Sequence, residues 1–177
     1  MKTITVPTYG QASPANQALM DNLKKALTFV PNLYATFTYS ETALGTYLNL
    51  QNANSSLSAK AREVINLVVS QVNSCRYCLA AHSMVGKMVG FTEQQILEIR
   101  RGTASFDTRL DALARLVRNV ALDRGHADKA ILQAFFDAGW NEGNLVDVMV
   151  AIGDKTISNY LHSTTEIPVD FPAAPEL

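Results

Sequence analysis

Apolar residues in this chain recur every three or four positions, and nowhere does an alternation of apolar and polar residues run beyond a few positions. A period near 3.6 is what a helix with one buried stripe requires, whereas a half-buried strand requires a period of two. The reading is therefore all-α, with about seven to nine helices. Hydrophobic residues make up 47% of the 177 and charged residues 18%, enough apolar surface to offset the entropy of ordering one core of this size. A single domain over 1–177 follows, with an extended N-terminal arm at 1–12 and a C-terminal tail at 164–177 that Pro168, Pro172 and Pro175 keep out of helix.

Capping chemistry divides the chain further. Ser13-Pro14 places an N-cap before a proline at the first helical position, and Leu19, Met20, Leu23 and Leu27 continue a helix to about residue 29. Pro31 marks a boundary, after which Leu33, Tyr34, Phe37 and then Leu44, Tyr47, Leu48 mark two shorter helical segments. Residues 52–56 form a loop. From Ser58 the run containing Val64, Ile65, Leu67, Val68, Val69 and Val72 is apolar nearly all round, as suits a helix buried on several sides. Ser74 is expected to cap a new helix that begins at Cys75 and ends near Gly90. Thr92-Glu93-Gln94-Gln95 has the form of a capping box, with Gly102 as its stop. Segments ending at Gly125 and Gly139 come next, and Asn141 is placed to cap a last long helix carrying Leu145, Val146, Val148, Met149, Ile152, Ile157, Tyr160 and Leu161.

Charge and targeting features exclude several functions. Lys plus Arg number 15 against 16 Asp plus Glu, a net charge of -1, so the chain lacks the basic footprint of a nucleic-acid binder or an anionic-membrane binder. The first residues lack the apolar stretch of a signal peptide, and no run approaches the roughly 18 apolar residues of a membrane span, which points to the cytoplasm. The only two cysteines form one Cys75-x-x-Cys78 unit. In a reducing compartment that spacing indicates redox chemistry or a metal.

Cys75, Cys78 and His82 stand at i, i+3 and i+7, so on one helix they project within about 60 degrees of each other. A cysteine in the first helical turn meets unpaired backbone N–H groups and the positive end of the macrodipole, which favour a thiolate at Cys75. The spacing brings the two sulfurs within disulfide reach, and His82, one turn after Cys78, is placed to exchange that thiol's proton. Glu63, twelve residues before Cys75, would point about 120 degrees away on an unbroken helix. Only a turn at Asn73-Ser74 that folds two helices side by side returns it to the sulfurs. Partial burial there would tend to raise its pKa and suit it to relay protons to His82 or a thiol.

Blander readings stand beside these. The cysteines could be two small buried hydrophobes, His82 a satisfied core histidine and Glu63 a solvated first-turn glutamate. A zinc site built on Cys75, Cys78 and His82 would need a fourth ligand or water, with only His126 and His162 left as histidines. Both of those read as structural, and Tyr77 and Trp140 as packing residues that could line a pocket.

At these residues the sequence resembles the alkylhydroperoxidase D-like proteins of the carboxymuconolactone decarboxylase family. The resemblance rests on Glu63, on Cys75-Arg76-Tyr77-Cys78-Leu79-Ala80-Ala81-His82, on Gly90-Phe91-Thr92 and on Ile99-Arg100-Arg101-Gly102. It covers residues 58–102 closely and the stretch from Asn159-Tyr160 to Asp170-Phe171-Pro172 more loosely. It implies an all-α, AhpD-like helical bundle with the Cys-x-x-Cys motif at a helix N-terminus, in a homo-oligomer that is usually a trimer or hexamer. It further implies a thiol-dependent peroxidase or disulfide oxidoreductase without metal or cofactor. In that scheme Cys78 is the peroxidatic thiol for a hydroperoxide substrate, Cys75 resolves it, and Glu63 with His82 relays the proton. The reductant would be a dithiol such as dihydrolipoamide carried on another protein. One departure is Tyr77, where some members have a second histidine; a phenol with an ordinary pKa near 10 is a poorer proton carrier at neutral pH. Two alternatives remain: a lactone decarboxylase of the same family, which has no need of the cysteine pair, and a zinc- or ligand-binding module without turnover.

Overall fold

The structure, a computed structural model, describes residues 3–177. Among these, every regular element is helical: α1 (Pro14–Leu27), α2 (Asn32–Phe37), α3 (Ala43–Gln51), α4 (Ala59–Val72), α5 (Arg76–Met88), α6 (Glu93–Arg100), α7 (Thr108–Leu122), α8 (Lys129–Asp137) and α9 (Glu142–Thr165). The arm is not wholly extended, since Tyr9–Gln11 closes one 3-10 turn. No helix among the described residues is long and apolar enough to cross a membrane.

The caps expected at Ser13, Thr92 and Asn141 form, and Ser58 supplies a further one. Ser13 accepts from the Asn16 amide at 3.3 Å and Ser58 from the Ala61 amide at 3.2 Å. Thr92 and Gln95 bond each other's backbone reciprocally, and Asn141 and Asn144 do the same at the head of α9. Each bond satisfies an amide that the helix leaves without an internal partner. Gly102 ends the α6 segment with a φ of +87, and a Cβ there would run into the Arg118 side chain. Glycine is needed at that stop for both reasons.

The chain divides into two compact units, residues 1–54 with 161–170 and residues 55–160 with 171–177. In the first, α3 packs on α1 and α2. Phe37 stacks on Tyr47 at 4.5 Å between ring centroids, and buried Asn16 donates to the Ser40 carbonyl at 3.0 Å. Asp170 accepts from the Asn32 amide at 2.7 Å, so the prolyl tail is anchored by polar bonds rather than by helix.

In the second unit α4 is the central rod, packed against α5, α6 and α7. Val64, Ile65, Leu67, Val68 and Val69 are wholly buried, which is why its sequence is apolar nearly all round. Ile96 and Ile99 of α6 and Leu113, Leu116 and Val117 of α7 complete the core around it. Phe135 stacks on Trp140 at 5.5 Å.

The last helix differs from its sequence pattern. Val146, Ile157 and Tyr160 face outward, at 62%, 45% and 60% exposure, while Lys155 and Asn159 are turned inward at 2% and 0%. Periodicity identifies an apolar stripe on α9 but does not say which side of the helix the core occupies.

Candidate active site

The site is built where α4 hands over to α5. Only Asn73, Ser74 and Cys75 separate these helices, so the chain must reverse within three residues, and Ser74 does so in the left-handed region at φ +52. The expectation that Ser74 caps α5 is thereby corrected. Its backbone is committed to the reversal, and the N-cap is Cys75, whose sulfur accepts from the Cys78 amide at 3.3 Å. The Cys75 amide in turn donates to the Ser70 carbonyl at 2.9 Å, tying the turn to the end of α4.

Reversal brings Glu63 back to the second turn of α5. Its Oε2 lies 2.8 Å from His82 Nδ1, and its Oε1 accepts from Asn66 at 2.8 Å. Glu63 is buried and the His82 side chain is 14% exposed, so this pair is sheltered but not sealed. Burial alone would raise the Glu63 pKa. The adjoining His82, the Asn66 amide and the Lys155 charge outweigh it, and the carboxyl titrates below its ordinary value, contrary to the rise expected from the sequence. With the carboxylate ionised, Nδ1 is the protonated nitrogen that donates to it, and Nε2 is left to exchange protons with a reactant.

The sulfurs of Cys75 and Cys78 are 2.7 Å apart, with the Cys75 thiol donating to Cys78, and both cysteines are free and buried. That bond is the largest influence on both groups, and it acts in opposite directions. It pushes the Cys75 thiol far up, with burial adding to the rise. It lowers the Cys78 thiol to about 6 against the pull of burial, assisted by the charges of Lys155 and His82 and by Asn159. The sequence expectation of a thiolate at Cys75 is thus corrected. As N-cap, Cys75 spends its sulfur on a backbone amide and its proton on its neighbour, and Cys78, still in the first turn of α5, carries the negative charge.

Other residues singled out by the sequence fall elsewhere. Tyr77 is buried with its ring edge-on to Phe171 at 5.4 Å between centroids. Trp140 lies under the Arg109 guanidinium at 4.0 Å and donates to the Arg109 carbonyl, and it also borders a shallow cleft of about 220 Å³. His162 is buried against the Ile167 carbonyl, and His126 is exposed in a loop. Among the described residues no group of three or more His, Cys, Asp or Glu is arranged to hold a metal.

Two residues were not singled out. Asn159 donates to Ser70 Oγ at 3.2 Å and accepts from Asn73 at 3.0 Å, and Lys155 stands one turn before it. The available signal was spacing: Lys155 lies seven residues after Val148 and three after Ile152, on the face those residues carry toward the core.

Residues 40–119 match the model of the carboxymuconolactone decarboxylase family. Among curated proteins no match was found. Among solved structures, the fold is similar to that of an uncharacterized peroxidase-related protein from Silicibacter sp. TM1040, at TM-score 0.80 and 22% identity over 95% of this chain and 94% of the other. It is also similar to an alkylhydroperoxidase AhpD core, an uncharacterized peroxidase-related protein from Ralstonia eutropha JMP134, at TM-score 0.83 and 17% identity over 93% and 90%. A third similar structure is a variant of the debrominase Bmp8 in complex with 2,3,4-tribromopyrrole, at TM-score 0.80 and 14% identity over 96% and 93%. The chain thus has an all-α fold like that of the alkylhydroperoxidase AhpD core, and its residues 40–119 are similar to the carboxymuconolactone decarboxylase family.

Proposed function

We propose that the protein is a thiol-dependent oxidoreductase that reduces hydroperoxides through Cys78 and Cys75, with Glu63 and His82 moving the proton. The observation that carries this reading is the pair of free, buried sulfurs placed side by side at the head of α5, with His82, paired to Glu63 of α4, on the same helix. The Cys78 thiolate attacks the O–O bond; a sulfur–oxygen bond forms, the O–O bond breaks, sulfur loses two electrons, and an alkoxide leaves. The proton that Cys78 gave up, held by His82 against Glu63, passes to the alkoxide to give the alcohol. Cys75 then attacks the sulfenic acid, its own proton leaves with the hydroxyl as water, and a Cys75–Cys78 disulfide forms. An external dithiol reduces the disulfide and is itself oxidised.

The test is consumption of an alkyl hydroperoxide with dihydrolipoamide as electron donor. Wild type should turn over. Cys75→Ser should consume about one equivalent and stop, holding a Cys78 sulfenic acid that a dimedone-type reagent captures. Sustained turnover by Cys75→Ser would remove it from the resolving role. Lactone decarboxylation that survives loss of both cysteines would favour the decarboxylase reading, and turnover of a bromopyrrole without any of hydroperoxide would transfer the same thiols to dehalogenation.

A further inference from the structure

A lysine is among the residues least often fully buried, because its ammonium loses its hydration unless anions or dipoles replace it. Lys155 is nonetheless 2% exposed, and it is placed firmly. One turn further along α9, the Asn159 amide is tied at both ends, to Ser70 in the last turn of α4 and to Asn73 in the α4–α5 reversal. Residues four apart share a helix face, so the bonds that hold Asn159 against this junction direct Lys155 toward the same junction. Consistently, its charge acts on Glu63, Cys75 and Cys78 together.

Charge balance says what this cation does. A site holding the Glu63 carboxylate and a Cys78 thiolate carries two negative charges out of water, and two positive charges are needed to match them. His82 supplies one only while it is protonated, and it must surrender that proton in the course of the reaction. Lys155 is the one whose charge is not spent. We propose that Lys155 is a positioning residue of this site, a buried ammonium that keeps Cys78 anionic and its sulfur available for attack whatever the protonation of His82. The inference rests on the thiol reading of the site given above and does not depend on peroxide being the substrate.

The groups that face Cys78 are Cys75 and His82 from α5 and Lys155 and Asn159 from α9, with Glu63 of α4 acting through His82. The readout is the pH dependence of Cys78 alkylation by iodoacetamide, followed by peptide mass mapping, which requires neither peroxide nor turnover. Lys155→Met should move the alkylation midpoint up by about one to three pH units, and slow alkylation at pH 6.5 by about tenfold or more. Lys155→Arg, which keeps the charge, should leave the midpoint within a few tenths of a unit of wild type. An unmoved midpoint in a folded Met variant overturns the assignment, as does an Arg variant that shifts as far as Met. A measurement that leaves Lys155 in place covers a Met variant that fails to fold: the Lys155 Cε resonance should shift when Cys78→Ser removes the thiolate, and an unchanged resonance overturns the proposal. A shifted midpoint with no peroxide turnover would retain Lys155 and discard the peroxide, while turnover with an unmoved midpoint would do the reverse.

Discussion

Replacing Cys78 by serine is expected to remove hydroperoxide turnover, a loss of at least about a thousandfold. A hydroxyl in the same place stays protonated at neutral pH and cannot pass through the sulfenic acid state, so neither the charge nor the oxidation survives the change. The effect follows from the asymmetry of the sulfur pair. Cys78 accepts a hydrogen bond from the Cys75 thiol, lies in the first turn of α5 and is lowered to about 6, whereas Cys75 is pushed up and caps the helix. The same asymmetry sets the pH profile. The thiolate is present above about 6 and disappears as the pH falls through that value, so wild-type turnover should decline on the acid side near pH 6. Steady-state assays from pH 5 to 8 on wild type and Cys78→Ser would check both points. A Ser variant retaining a tenth of the activity would mean that another group attacks the peroxide.

Glu63→Gln should lower turnover by about a hundredfold to ten-thousandfold, the range ordinarily assigned to a positioned acid–base group. Glutamine keeps the shape and an oxygen for His82 Nδ1 but removes the charge that makes the imidazole a ready acceptor. His82→Ala should fall in the same range, and the double variant should be little worse than His82→Ala alone, because the two act as one relay. Stability provides an independent readout. The Glu63 carboxyl titrates below its ordinary value of 4.5, so its contribution to folding is complete above that value and is lost as the pH falls through the lower, folded one. Denaturation curves at pH 3 and pH 7 should therefore differ less for Glu63→Gln than for wild type. An unchanged pH difference would show that the carboxylate is solvated rather than paired.

Much of the fold was legible because helix boundaries are written in local chemistry. Ser13, Thr92 and Asn141 announce the helices they cap, since a short polar side chain one residue before an apolar run has few other uses. The α4–α5 junction was harder. So short a reversal needs one residue in the left-handed region, and that demand moved the cap from Ser74 to a thiol, a residue seldom read as one. The meeting of Glu63 with His82 was legible only as a condition on that turn. The direction of the Glu63 shift was not, because sequence spacing suggests burial without naming the partners, His82 and Asn66, that reverse its effect. Lys155 was hidden for a related reason: it and Asn159 are polar residues on the inner side of α9, while Val146, Ile157 and Tyr160 face outward, so hydropathy does not single out that end of the helix.

The chemistry turns on two adjacent sulfurs, one attacking the peroxide and the other closing a disulfide with it. Its most direct measurement adds one equivalent of alkyl hydroperoxide to the reduced protein, then blocks free thiols and maps the peptides by mass. The prediction is a Cys75–Cys78 disulfide formed in proportion to the peroxide, with one alcohol and one water released per bond and full reversal by dithiol. Two free thiols beside unconsumed peroxide would contradict it.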